Sequence, residues 1–199
     1  MRLRLLVKNK SEFTRNVMLL LAGSGVAQII GLLVVPLLTR LYTPEDFGVS
    51  ALFLSISSLL LVLSSGRYEM AIVQAKTRLD ALSLIFVSML ISIFILTPLF
   101  ILILIFENMG YISELNGRLG GFLAFIPCFV FLMLLCNSIA NYINRQKKYK
   151  NISQIMVFQS LSQASSKLAL GWGGVSFNGL LLGAFVGQLL AAILYLIDR

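Results

Sequence analysis

Six long apolar runs, separated by short polar segments, follow one another along the chain. They lie at about residues 16–38, 47–65, 82–106, 121–143, 152–174 and 178–197. A helix needs about 20 predominantly apolar residues to cross the hydrocarbon core of a bilayer, and each run is close to that length. None alternates apolar and polar residues as a strand of a membrane barrel would. The pattern predicts an all-α, polytopic membrane bundle of six transmembrane helices, forming one domain over residues 1–199.

The polar segment 39–48, TRLYTPEDFG, separates the first two runs and indicates how they connect. Thr43 is a suitable N-cap, and Pro44 is suited to the first turn of a helix. The two acidic residues after Pro44 would face the positive end of the helix dipole. The segment therefore predicts one helix that ends near Leu38 and a second that starts at Pro44 and returns across the membrane.

The charge distribution predicts the orientation of the bundle. Only 12% of the 199 residues are charged, against about 25% in soluble domains. With the N-terminus inside, thirteen of the 16 basic residues fall in inner segments and only Arg40 and Arg118 in outer ones. This distribution predicts that both termini are cytoplasmic. Because the positive charges are spread over four separate segments without a binding motif, we expect no nucleic-acid partner.

The residues needed for common catalytic and metal sites are missing. The chain has no histidine, no nucleophile elbow and no phosphate-cradling glycine loop, so we expect neither an enzyme nor a metal or other cofactor. Its two cysteines, Cys128 and Cys136, lie eight residues apart in one predicted helix. A separation of about 12 Å along the helix is too long for a disulfide.

Small residues recur every four positions in the first and sixth runs. Such rows allow close approach of helix backbones in lipid, either within a bundle or at a dimer interface, and the sequence leaves both interpretations open. The rows are Gly23, Ala27 and Gly31, and Gly179, Gly183, Gly187 and Ala191.

Prolines interrupt three of the apolar runs. Pro36, Pro98 and Pro127 each remove a backbone hydrogen bond if they lie inside a helix, and such prolines tend to bend it. Bent helices suit a transporter that changes shape, although many static bundles contain them too.

A polar stripe marks the fifth run. Gln159, Gln163 and Lys167 are spaced four residues apart and therefore share one helix face. A lysine near the centre of a membrane costs about 2.5–3.5 kcal/mol on insertion scales, so this face is expected to line the bundle interior or a water-filled cavity. Lys167 would then bind an anionic substrate, most simply a phosphate. The alternative is a lysine that extends to the outer headgroups.

Three smaller polar groups are further candidates. Gln28 gives the first run a polar face that could line a substrate path or hydrogen-bond another helix. Arg67 and Glu69, just after the second run, could form an inner gate that exchanges ion-pair partners, or simply cap the helix end. The cationic segment 144–151, NRQKKYKN, could contact anionic membrane lipids or act only as a topology anchor.

The segments LAGSGVAQIIGLLVVPLLTRLYTPEDFGVSALF and GRYEMAIVQAK resemble, in order and spacing, the polysaccharide biosynthesis proteins. These are oligosaccharide flippases of the O-antigen translocase type, in a superfamily with lipid II flippases and multidrug exporters. The resemblance covers essentially the whole chain.

This resemblance implies two six-helix lobes around a central cavity that opens alternately to each side. It implies movement of a polyprenyl-pyrophosphate-linked oligosaccharide across the bacterial inner membrane, for lipopolysaccharide or another surface polysaccharide. The chain is long enough for one lobe, so a second lobe or an identical copy is the expected partner. Gln28, Gln159, Gln163 and Lys167 would supply polar groups to the cavity.

Two other functions stay open at this stage. An exporter of drugs or small cations from the same superfamily would need an acidic residue deep in the membrane, whereas the buried charge here is a lysine. A membrane scaffold subunit for glycan assembly would need no accessible cavity.

Overall fold

In the computed structural model, the backbone is described for residues 2–111, 122–175 and 177–197, and side chains are described from Arg15 onward except for Phe177. The regular secondary structure of this part of the chain is entirely helical, and it contains no strand. Its helices are α1 (Arg2–Leu41), α2 (Pro44–Ser65), α3 (Tyr68–Ala71), α4 (Arg78–Asn108), α5 (Ile126–Arg145), α6 (Tyr149–Trp172) and α7 (Phe177–Ile197), with 3₁₀ turns at Ile72–Gln74 and Leu123–Phe125.

Five described segments are long and apolar enough to cross a membrane. They are Arg15–Leu41, Pro44–Ser65, Arg78–Asn108, Leu123–Arg145 and Asn178–Ile197. Helix α6 is not among them, although its 24 residues would extend about 36 Å. The serines, glutamines and lysine of α6 lower its hydropathy, so the predicted crossing at 152–174 has the length of a span without the composition of one.

The helices form two groups that meet at α5 and α7. Helix α6 lies between α1 and α7, while α5 contacts α2, α4 and α7. One apolar core joins α2, α4, α5 and α7 and includes Phe53, Phe129 and Leu181. A second core joins α5, α6 and α7 and includes Ile143 and Ile155.

The outer surfaces of several helices are apolar and exposed. Leu33 of α1 and Leu63 of α2 are both more than two thirds exposed, and Phe94 of α4 is 81% exposed. Continuous apolar surface of this kind is unusual on a water-soluble monomer and is typical of a surface that contacts lipid. The structure therefore belongs to a multi-pass membrane protein.

The turn between α1 and α2 has the predicted construction. Helix α2 begins at Pro44, and the Thr43 side chain accepts a hydrogen bond from the Asp46 amide at 3.3 Å. The Asp46 carboxylate in turn accepts from the Thr43 amide at 2.8 Å, which completes a capping box. Helix α1 extends to Leu41, three residues beyond its predicted end at Leu38.

Tyr42 fixes this turn to the rest of the bundle. Its hydroxyl donates a hydrogen bond to the Lys167 carbonyl of α6 at 2.7 Å, and its ring is buried. The ring lies against Gly171, and the hydroxyl occupies the space that a side chain at Gly179 would need. One aromatic residue thus connects the α1–α2 turn to both α6 and α7.

Tyr42→Phe is expected to lower the free energy of unfolding by about 1 kcal/mol at neutral pH, because it removes this hydrogen bond. Burial, and then the Asp46 carboxylate, raise the pKa of Tyr42 above its ordinary value of 10.0. The neutral phenol is therefore favoured by folding, and its contribution is lost as pH rises above about 10. Unfolding curves in detergent should converge for the two proteins above that pH; a constant difference would contradict this assignment.

The glycine row of α7 packs within the chain. A Cβ at Gly183 would lie 2.5 Å from Lys167 Cγ and 3.0 Å from the Lys167 amide nitrogen. A Cβ at Gly187 would collide with Gln163. On α1, Gly23 packs against Ser153, whereas Gly31 has no atom within 4 Å of its Cβ position. These close approaches identify the α7 row as the packing ridge for the polar helix α6.

The three prolines differ in position. Pro36 and Pro98 lie inside α1 and α4, as predicted. Pro127 instead lies in the first turn of α5, where a missing amide donor breaks no helical hydrogen bond. The expectation that Pro127 bends its helix is therefore wrong.

Candidate substrate groove

Three neighbouring cavities form a groove along α6, mostly between α6 and α1. The Lys167 cavity has a volume of about 300 Å³ and also contacts α2 and α7; among its lining residues are Gly31, Phe47, Ser50, Gln163 and Lys167. The middle cavity, about 290 Å³, is lined by Ser24, Ala27, Gln28, Met156, Gln159, Ser160 and Gln163. The Asn144 cavity, about 280 Å³, lies between α1, α5 and α6 and is lined by residues that include Ser24, Asn141, Asn144 and Met156.

Among the residues that line the three described cavities, Lys167 is the only one with an ionisable side chain. Its aliphatic stem packs against Gly183 of α7, because that glycine leaves room for it. Within the described part of the chain, no carboxylate lies within ion-pair distance of its ammonium group. The remaining residues that line this cavity are uncharged. An unpaired cation in a neutral, largely apolar cavity favours an anionic ligand.

The three predicted glutamines have different environments. Gln163 lines both the Lys167 cavity and the middle cavity, and Gln28 faces it across the groove from α1. Gln159 also borders the middle cavity, but its amide Nε2 donates to Oε1 of Gln188 on α7 at 2.7 Å. Gln159 therefore links α6 to α7, while the side-chain amides of Gln28 and Gln163 make no hydrogen bond in the described structure.

Sequence reasoning missed Gln188. It is buried in α7, where the other amide residue, Asn178, lies in the first turn, and it has no neighbour along the chain that suggests a role. Its position in the middle of an apolar stretch was the available signal, since an amide there requires a hydrogen-bond partner from another helix.

Hydroxyl groups of α6 hold α1 beside the groove. Ser160 donates to the Ala27 carbonyl at 2.7 Å, and Ser153 donates to the Leu19 carbonyl at 3.0 Å. Both bonds cross between the two helices, and the close approach at Gly23 lies between them. The serines that lower the hydropathy of α6 are therefore part of what defines the groove.

Arg67 and Glu69 do not meet in this structure. The Arg67 guanidinium is exposed and lies 3.7 Å from Met70 Sδ, whereas Glu69 is 6% exposed and its Oε2 has no hydrogen-bond partner. Helix α5 holds this segment instead, because Asn141 donates to the Glu69 carbonyl and Arg145 to the Ala75 carbonyl, each at 3.0 Å. The inner gate remains a prediction for these two residues.

Acidic residues are placed near helix ends. Glu45 and Asp46 lie in the first turn of α2, and Asp80 lies in the first turn of α4. Glu107 is one residue from the end of α4. Among the residues with described side chains, no acidic group lies near the middle of a long helix, where a cation exporter would need one.

Comparison with known proteins gives one match. The model of a family described as polysaccharide biosynthesis protein matches residues 13–197. That match covers every helix of the bundle from α2 to α7 and all of the described side chains of α1. No curated protein and no solved structure matches the chain.

Proposed function

Because the chain belongs to the polysaccharide biosynthesis protein family, we propose that it is a transporter, not an enzyme, that moves a polyprenyl-pyrophosphate-linked oligosaccharide across the bacterial inner membrane. Its product would supply a surface polysaccharide such as the O-antigen of lipopolysaccharide. One observation carries the proposal: Lys167 lines a cavity of about 300 Å³ and has no carboxylate partner among the described residues.

The groove has the chemistry that this cargo needs. A sugar pyrophosphate is strongly hydrated, so its passage through hydrocarbon requires protein groups that replace water. Lys167 offers a compact positive charge to the pyrophosphate. Gln28 and Gln163 offer side-chain amides without hydrogen-bond partners among the described residues in the middle cavity, and Gln159 borders that cavity too.

In this proposal α6 is the fifth of six crossings of the bundle, although its composition is too polar for a lipid-facing span. Gln159 and Ser160 are directed to α7 and α1, and Gln163 and Lys167 line the groove, so these groups need not contact lipid. The exposed hydroxyl of Ser165 donates to the Ser162 carbonyl within the helix. With six crossings, both termini lie in the cytoplasm. The basic segment 144–151 then lies at the cytoplasmic face, where it can contact anionic lipid headgroups.

We expect a second body to complete the transporter. Alternating access requires two bodies that move against each other around one binding site, and the helices of residues 1–199 would form one of them. The second body would be another six-helix lobe or a second copy of this chain. Arg67 and Glu69 would then lie at the cytoplasmic entrance, where the Glu69 carbonyl accepts a hydrogen bond from Asn141, a lining residue of the Asn144 cavity.

The test is reconstitution of the protein, with any lobe that copurifies, into vesicles that contain a labelled polyprenyl-pyrophosphate oligosaccharide. A glycan-binding lectin added outside reports the lipid that has moved outward. We expect faster movement than in protein-free vesicles and no comparable movement of a fluorescent small cation. Equal rates with and without protein would contradict the proposal, and movement of the cation alone would favour an exporter.

A further inference from the structure

The groove divides into a charged part and a neutral part. Lys167 belongs to only one of the three cavities, and neither the middle cavity nor the Asn144 cavity has an ionisable lining residue. Their polar groups are hydroxyls and side-chain amides, from Ser24, Gln28, Asn141 and Asn144 among others. The two neutral cavities share Ser24 and Met156 and are therefore adjacent.

We infer that the middle and Asn144 cavities form a subsite for uncharged sugar units, while Lys167 holds the pyrophosphate of the same ligand. The inference rests on the proposed function and adds the direction of the ligand in the groove. The phosphate end lies next to Lys167, and the glycan extends along α6 towards Asn144. A glycan without carboxylate or amino groups is the class of substrate that this lining fits.

The lining groups match sugar hydroxyls. A side-chain amide offers both donors and an acceptor, which is the pairing that a hydroxyl group can satisfy. The Asn144 side chain makes no hydrogen bond in the described structure, and Asn141 uses only its Nδ2 atom, leaving its carbonyl oxygen available. Leu20 and Met156 add apolar surface for the carbon–hydrogen faces of sugar rings.

The length of the groove requires different parts of the ligand to occupy its two ends. Ile152 lines the Asn144 cavity and Lys167 lies fifteen residues further along α6, a distance of about 22 Å at helical rise. A pyrophosphate cannot span that length, so a ligand that occupies the whole groove must place different groups at its two ends. No cation among the described residues lines the two neutral cavities, whereas Lys167 lines the third, so we expect the phosphate at the Lys167 end.

Cysteine protection tests this direction. Gly31→Cys reports the Lys167 cavity, since nothing lies within 4 Å of its Cβ position, and Ser24→Cys reports the neutral cavities. Each would be made in the full chain with Cys128→Ser, because Cys128 is exposed and Cys136 is buried. Labelling by a small maleimide is measured without ligand, with polyprenyl pyrophosphate, and with the same lipid carrying a neutral oligosaccharide.

The glycan-free lipid should protect the Gly31→Cys variant only, and the glycan-bearing lipid should protect both variants. At a lipid concentration about ten times Kd, labelling should slow about tenfold at each protected position. Protection of Gly31→Cys alone by both lipids would overturn the inference and leave the proposed function standing. Protection of Ser24→Cys by the glycan-free lipid, or an unreactive Ser24→Cys in ligand-free protein, would also overturn it. No protection of either variant by either lipid would contradict the proposed function as well.

Discussion

Lys167→Ala is expected to reduce translocation of the pyrophosphate-linked oligosaccharide by about tenfold to a hundredfold. A hydrogen bond to a charged group contributes about 1.5–3 kcal/mol, and each 1.4 kcal/mol corresponds to a factor of ten. The substitution should lower the rate of transport but not the yield of folded protein, because replacing a membrane lysine with alanine makes membrane insertion easier. The lectin assay in vesicles measures the first effect, and the yield of folded protein measures the second.

Two variants make this experiment specific. Lys167→Arg keeps the charge but not the compact ammonium group, so we expect partial activity. Lys150→Ala removes the same charge from an exposed position of α6 outside the groove, and it should transport at the normal rate. Normal transport by Lys167→Ala would remove this lysine from the mechanism, and an equal loss in Lys150→Ala would show a general effect of charge.

Gly23→Ala is expected to separate α1 from α6. A new Cβ would lie 2.6 Å from Ser153 Cβ and 2.7 Å from Ser153 Cα. Because the second of these atoms is backbone, the contact cannot be relieved by rotating a side chain. Overpacking of this kind costs about 1–3 kcal/mol, and the shift should also break the Ser153–Leu19 hydrogen bond. Thermal unfolding in detergent measures the loss.

Gly25→Ala is the matched control, two residues further along the same helix. Nothing lies within 4 Å of its Cβ position, so the substitution should be neutral or stabilise the protein by up to about 1 kcal/mol through helix propensity. If the two variants unfolded at the same temperature, the close approach of α1 and α6 at Gly23 would be wrong, and so would the groove that depends on it.

Features with local causes could be predicted from the sequence. The capping box at Thr43 and Asp46 and the start of α2 at Pro44 depend on residues only a few positions apart. The apolar runs predicted where the long helices lie, since a run of about 20 apolar residues is long enough to cross the membrane. Helix α1 differs in its start, because it begins at Arg2, before its predicted run at 16–38. The spacing of Gln163 and Lys167 was enough to place both on one face, and both line the Lys167 cavity.

Features that depend on tertiary neighbours could not be predicted. The four-residue spacing that placed Gln159 on the same face as Gln163 carried no information about Gln188. That residue lies on another helix and accepts a hydrogen bond from the Gln159 amide. Likewise, Gly23 and Gly31 look equivalent in sequence, but only Gly23 has a close neighbour. Arg67 and Glu69 suggested an ion pair because they are near in sequence, yet the short helix α3 directs them to different environments.

Average hydropathy alone does not show that α6 belongs to the helical bundle. Among the residues that make this helix too polar for a simple membrane span, Gln159 and Ser160 form hydrogen bonds that hold it between α7 and α1. A window of hydropathy measures composition along the chain and does not see which residues another helix covers. The family match, which includes this segment, supports its place in the bundle.

Direct binding of polyprenyl pyrophosphate tests most simply whether Lys167 makes the groove an anion site. The measurement is the Kd of this lipid for the wild-type protein and for Lys167→Ala in detergent, with the uncharged polyprenol as the reference lipid. We expect Kd for the pyrophosphate to rise about tenfold or more in the variant, while Kd for the polyprenol stays the same. Equal binding of the pyrophosphate by the two proteins would contradict the account, because the groove would then recognise the lipid without its cation.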